Sequence, residues 1–134
     1  MVNKIRILYV EDDDTLGYIT SENLERKGYE VILSQDGESA LQLFRKEPFD
    51  LCLLDIMLPK LDGFTLARII RKENEEIPII FISAKTLTED KIEGLLLGAD
   101  DYIVKPFNIE ELTLKIEVFL KRSRIHKLSP QQSN

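Results

Sequence analysis

No stretch of this chain holds the roughly 18 to 20 consecutive apolar residues that a membrane span requires, so no spanning helix is expected. The amino terminus, Met1-Val2-Asn3-Lys4-Ile5-Arg6, runs directly into a strand-like segment, without the separate apolar core and small-residue cleavage site of a secretory leader. Cysteine occurs once, at Cys52; this excludes an internal disulfide, suits a reducing compartment and leaves the thiol as core filler. A cytoplasmic location is expected. Basic excess is also missing: the formal net charge is −6, and a surface that grips a nucleic-acid backbone needs the opposite sign. Direct nucleic-acid binding by this segment is therefore not expected. Histidine is as scarce as cysteine. His126 stands alone among Lys121, Arg122, Arg124 and Lys127; without a second histidine or a catalytic partner it reads as a structural or linker residue.

What is present is enough for one core. The chain has 134 residues, 43% hydrophobic and 31% charged, which is one soluble domain's worth. Five short aliphatic runs stand out: Ile5 to Val10, Val31 to Leu33, Leu51 to Leu54, Pro78 to Ile82 and Tyr102 to Val104. They are nearly continuous rather than alternating, as strands covered on both faces are. The segments between them are long enough for helices. Ile92, Leu95, Leu96 and Ala99 follow the helical i, i+3, i+4, i+7 rule, and so do Ile109, Leu112, Ile116 and Phe119. Thr86 with Glu89 and Asn108 with Glu111 mark the starts of these two helices, while Gly28 and Gly98 sit where helices stop. Leu16 to Lys27, Glu38 to Lys46 and Phe64 to Asn74 supply three more. Strand alternates with helix five times, which predicts an α/β domain with right-handed crossovers and helices on both faces of a parallel sheet. After Arg124 the tail, residues 125–134, loses periodicity and is expected to be a linker or frayed end.

The polar residues fall at telling places. Glu11, Asp12 and Asp13 follow the first predicted strand, Asp55 the third, Ser83 the fourth and Lys105 the fifth. In an open parallel sheet the carboxyl ends of strands share one edge, where ligands bind, so residues far apart in sequence should converge. Glu11, Asp12 and Asp55 would repel one another unless a hard divalent cation lay between them; Mg²⁺, with oxygen ligands and retained waters, suits such a sparse set. Lys105 adds one positive charge and Ser83 one hydroxyl, together enough to hold the oxygens of a transferring phosphoryl group. Asp55, an acid ending an apolar run, is then a nucleophile able to form an acyl phosphate.

At this point the ordered set of motifs becomes specific. Val10-Glu11-Asp12-Asp13, Leu54-Asp55-Ile56-Met57-Leu58-Pro59 with Asp62-Gly63, Phe81-Ile82-Ser83-Ala84 and Tyr102-Ile103-Val104-Lys105-Pro106-Phe107 resemble the receiver domain of two-component response regulators over about residues 4 to 122. The resemblance implies a flavodoxin-like (CheY-like) fold with a five-stranded parallel sheet of order 2-1-3-4-5 and five helices. It implies that Asp55 accepts phosphate from a sensor histidine kinase and that Mg²⁺ is held by Asp12 directly, Glu11 mainly through water, Asp55 and the Met57 carbonyl. Ser83 and Tyr102 would form a switch pair. Lys105 would bind the phosphoryl group, oriented by a cis peptide to Pro106. Such a domain is a signalling switch that catalyses only its own phosphorylation and dephosphorylation, not an enzyme acting on other substrates. Met57 and Lys85, flanking the acceptor, would tune hydrolysis.

Gly94 to Tyr102, Glu110-Glu111-Leu112 and Lys121-Arg122 further resemble the OmpR-type subfamily of transcription factors. In that subfamily the last helix, strand and helix form a two-fold dimer face on activation. Lys91, Asp100, Asp101, Glu111, Lys115 and Arg122 match its charged positions, and Ile92 and Leu95 its apolar patch. Leu96, Leu97 and Glu117 depart from the pattern, implying fewer ion pairs between protomers. Residues 1–124 would then be the receiver, with the tail leading to an effector domain absent from this segment. A stand-alone regulator is the alternative within the same family.

Plainer readings accompany these. Asp12, Asp13 or Asp14 can cap the first helix, the preferred role for Asp13 or Asp14; Lys105 can be a solvated lysine before a turn; Asp100-Asp101 can be only a turn. Glu11-Asp12-Asp13-Asp14-Thr15 also approaches the D-x-D-x-T pattern of aspartate-nucleophile phosphohydrolases, but places Glu where the nucleophile must be Asp. A metal-independent binding module of the same fold is a third class.

Overall fold

The computed structural model describes residues 4–84 and 98–132. Five parallel strands, β1 (Arg6–Val10), β2 (Glu30–Ser34), β3 (Leu51–Asp55), β4 (Ile79–Ser83) and β5 (Asp101–Val104), form one sheet in the order β2-β1-β3-β4-β5. Each lies within a residue or so of its predicted run. The described residues contain four helices, α1 (Asp14–Arg26), α2 (Gly37–Lys46), α3 (Gly63–Glu73) and α4 (Ile109–Gln132). The helix expected around Ile92 to Ala99, with Thr86 and Glu89 at its start, falls mostly outside the described residues.

Period-two alternation divides the core between the two faces of the sheet. Ile7, Tyr9, Leu51, Leu53, Ile80 and Ile82 pack with Leu24 of α1 and Leu112, Ile116 and Leu120 of α4. Leu8, Val10, Cys52, Leu54, Ile79 and Phe81 face the other way, against Ala40 of α2 and Leu66, Ala67 and Ile70 of α3. Every residue of β3 and β4 is buried, which explains why those runs read as continuous rather than alternating. Cys52 is among them, and burial pushes its thiol up to about 12, as a core residue requires.

Acidic and amide side chains start the helices. The N-cap carboxylates of Asp13, Asp36 and Asp62 accept from the backbone N–H groups of Leu16, Ser39 and Thr65 at 3.0, 2.8 and 2.9 Å. Asn108 Oδ1 accepts from Glu110 N at 2.7 Å before α4. Gly28, where α1 ends, has φ +102°, a left-handed conformation that disfavours other residues. The segment after Arg124, expected as a linker or frayed end, begins as a continuation of α4, which runs to Gln132.

Candidate functional site at the carboxyl edge of the sheet

Strand register brings the polar residues together. Val10 of β1 pairs with Leu54 of β3, Asp55 with Ile82 of β4, and Ser83 with Val104 of β5, so Glu11, Asp55, Ser83 and Lys105 all emerge at one level. The sites where strands end are stitched to their neighbours: Glu11 N donates to Ser34 O at 2.9 Å, Ile56 N to Ile82 O at 3.1 Å and Lys105 N to Ser83 O at 2.8 Å. The Lys105–Pro106 peptide is cis, as the motif implied.

Two glycines let the surrounding loops close in. At Gly63 a Cβ would lie 2.2 Å from the Asp55 carbonyl oxygen, so the start of α3 rests on the backbone that carries Asp55. At Gly37 a Cβ would lie 1.9 Å from the Leu61 carbonyl oxygen, seating α2 against the loop after β3. Neither position has room for any side chain.

At the centre, Lys105 Nζ lies 2.6 Å from Asp55 Oδ2 and 2.9 Å from a carboxylate oxygen of Glu11. Asp55 is 3% exposed, and Glu11 and Ser83 are fully buried; Asp12 is exposed at the rim. Met57 N donates to Asp55 Oδ1 at 3.0 Å, and Met57 itself is 58% exposed. Asp13 N donates to Glu11 Oε2 at 3.2 Å. Burial pushes the Glu11 carboxyl up to about 7; the Lys105 ammonium pulls against that shift and Asp55 adds to it. Partial burial works against the Lys105 charge, but hydrogen bonds to Asp55 and Glu11 outweigh it and hold its pKa above the ordinary value.

The donor set suits a small divalent cation. Glu11, Asp12 and Asp55 each offer an oxygen within 4.8 Å of the other two, close to the span of about 4.2 Å between opposite ligands of a Mg²⁺ ion. Three acids here face one lysine, so positive charge is in deficit, and oxygen donors alone favour a hard ion.

The residues matched to a dimer face are spread along the far edge. Asp101 pairs with Lys115 at 2.8 Å within the chain. Asp100 accepts from Ile79 N at 2.8 Å and lies 3.3 Å from Arg71. Glu111 is exposed, and the Arg122 guanidinium sits 5.0 Å above the Phe119 ring. Lys91, Ile92 and Leu95, like Lys85, lie outside the described residues. Tyr102, opposite Phe81 in register, is half-buried against the α2–α3 side of the core. Sequence reasoning passed over Tyr9, which shares a strand face with Glu11, and Arg71, whose role depends on carbonyls supplied by the fold. The i, i+2 spacing from Tyr9 to Glu11 was the available signal for the first; no local signal existed for the second.

Comparison with known proteins agrees with this geometry. Residues 7–117 match the family described as "Response regulator receiver domain". The chain is 55% identical over 124 residues to the transcriptional regulatory protein RprY of Bacteroides fragilis, covering 92% of this chain and 52% of that protein. It is 42% identical to the alkaline phosphatase synthesis transcriptional regulatory protein PhoP of Bacillus subtilis, covering 96% of this chain and 54% of the relative. It thus spans about half the length of these curated relatives. Among solved structures, the Francisella response regulator 1452 receiver domain superposes with a TM-score of 0.85 at 38% identity, covering 90% of this chain and 99% of that one.

Proposed function

Because the chain belongs to the response regulator receiver family, a family of signalling switches, we propose that Asp55 is its phosphoryl acceptor and that a sensor histidine kinase is the donor. The observation that carries this reading is the position of Lys105, which spans from β5 to reach both Asp55 and Glu11. In the transfer a carboxylate oxygen of Asp55 forms a bond to phosphorus in line with the departing imidazole nitrogen of the kinase, whose bond to phosphorus breaks. Lys105 and Met57 N hold the carboxylate oriented before transfer. Lys105 Nζ then follows the new negative charge onto a phosphoryl oxygen, and the Ser83 hydroxyl donates to another.

Glu11, Asp12, Asp55 and the Met57 carbonyl are the groups that would hold Mg²⁺. Bound there, the ion neutralises the charge of the acids and of the phosphoryl oxygens. The movement of Ser83 is transmitted to Tyr102 and so to the edge bearing Asp100, Asp101, Glu111, Lys115 and Arg122, with Lys91, Ile92 and Leu95. This edge forms a homodimer on phosphorylation. The names of the relatives support a transcriptional output, delivered by an effector domain beyond a receiver unit of residues 1–124, with residues 125–134 leading out of it. No described helix is long and apolar enough to cross a membrane, and phosphotransfer from a kinase suits a cytoplasmic site.

Incubation with acetyl phosphate or phosphoramidate and Mg²⁺ is expected to add one phosphate, read by intact mass, and Asp55→Ala is expected to add none. Undiminished labelling of Asp55→Ala would overturn the assignment.

A further inference from the structure

Tyr9 is fully buried in β1, yet its phenol does not end in hydrocarbon. Residues i and i+2 of a strand face the same way, so Tyr9 lies directly beneath Glu11 on the side of the sheet covered by α1 and α4. Its Oη approaches Glu11 Oε1 to 3.4 Å, a long hydrogen bond. The phenol O–H can donate, and the atom it faces is a carboxylate oxygen. Tyr9 therefore donates to Glu11.

Space for this arrangement comes from α1. A Cβ at Gly17 would lie 3.1 Å from a methyl of Leu33 and 3.7 Å from Glu11 Cγ, so the helix passes close over the Glu11 side chain and walls it in. Glu11 is thereby gripped by Tyr9 Oη on one oxygen and Asp13 N on the other, with Lys105 completing the set. An aspartate at this position would be one methylene shorter. Drawn back toward the strand, it would lose the simultaneous reach to the Asp13 amide and Lys105 that places Glu11 beside Asp12 and Asp55.

We propose that Tyr9 is a positioning residue for cation binding. Its phenol fixes the one carboxylate of the site that is fully buried, and the effect depends on the length of glutamate at position 11. This inference rests on the reading of Glu11, Asp12 and Asp55 as a Mg²⁺ site. Groups that orient the ligands of a metal commonly change its affinity on the order of tenfold or more when removed. Tyr9 touches neither the ion nor the phosphoryl group, so its contribution acts entirely through Glu11.

The test is a double-mutant cycle in which Mg²⁺ alone is titrated into the metal-free chain by calorimetry. Tyr9→Phe removes one oxygen and keeps the ring in the core. It is expected to weaken Mg²⁺ binding on the order of tenfold, while the same change in a Glu11→Asp background has no further effect. Circular dichroism melts establish that each variant is folded at the titration temperature. Unchanged Mg²⁺ affinity in Tyr9→Phe, or an equal loss in both backgrounds, would overturn the role of Tyr9 while leaving the cation site standing. Absence of Mg²⁺ binding by the wild-type chain at millimolar concentration would overturn the cation site itself, and the positioning role with it.

Discussion

The two edges of the sheet use charge in opposite ways. At the amino ends of the strands, Arg6 reaches the Pro48 carbonyl at 2.8 Å and Glu47 at 2.7 Å, stacks 5.0 Å over Phe49, and receives Asp50 on its backbone N–H at 2.8 Å. Arg71, near the end of α3, donates to the carbonyls of Asn74, Glu75, Ile77 and Gly98 and to Asp100. Each guanidinium there meets acceptors that its own loops supply, and the result is a staple. At the carboxyl ends, among the described residues, Glu11 and Asp55 share one cation, Lys105, and Asp12 pairs with none. Two of those acids are buried, and the negative charge left over has no partner from the fold among the described residues. The difference teaches that matched charge holds loops in place, whereas unmatched buried charge marks where something from outside is received.

The sharpest way to break the comparison is to remove the single cation of the carboxyl edge. Lys105→Met removes the cation shared by the buried Asp55 and Glu11 and is expected to cost about 3–5 kcal/mol in the metal-free protein, measured by urea denaturation. Adding Glu11→Gln should restore much of that loss. A cost under about 1 kcal/mol would show that the edge carries no such charge imbalance. Arg71→Met tests the other edge. It strips the shared donor from the α3–β4 turn and from Gly98 and Asp100, and about 2–4 kcal/mol of destabilisation is expected with Mg²⁺ affinity unchanged; a shift in Mg²⁺ affinity would show the two edges to be coupled. The smallest effect comes from the ion itself. Mg²⁺ at ten times its Kd should stabilise the native state by about 1.4 kcal/mol, read as a rise in Tm, with no rise in Asp12→Ala.

Local chemistry made much of this legible in advance. The five apolar runs became the five strands because chain covered on both faces must be continuously hydrophobic, and Asp13, Asp36 and Asp62 cap helices by contacts within three residues. Leu51 to Asp55 is the clearest case: an apolar run broken by one acid is readable without any neighbour. Apolar spacing fades after Arg124 while α4 runs on to Gln132, since helix continuation depends on backbone hydrogen bonds as well as on apolar spacing.

The residue types of the site, and their placement at strand ends, were therefore set by the sequence alone. Their distances were not. Lys105 and Glu11 are 94 positions apart and Lys105 and Asp55 50 apart; only the strand order β2-β1-β3-β4-β5 and its register bring them within a hydrogen bond. The same holds for Tyr9 beneath Glu11 and for Arg71 among its carbonyls. An i, i+2 pair fixes a shared face, but burial and the approach of α1 decide whether a phenol meets a carboxylate there or only packs. Hydrophobic pattern and capping are local and survive in one dimension; charge balance at a site is a sum over segments that only folding assembles.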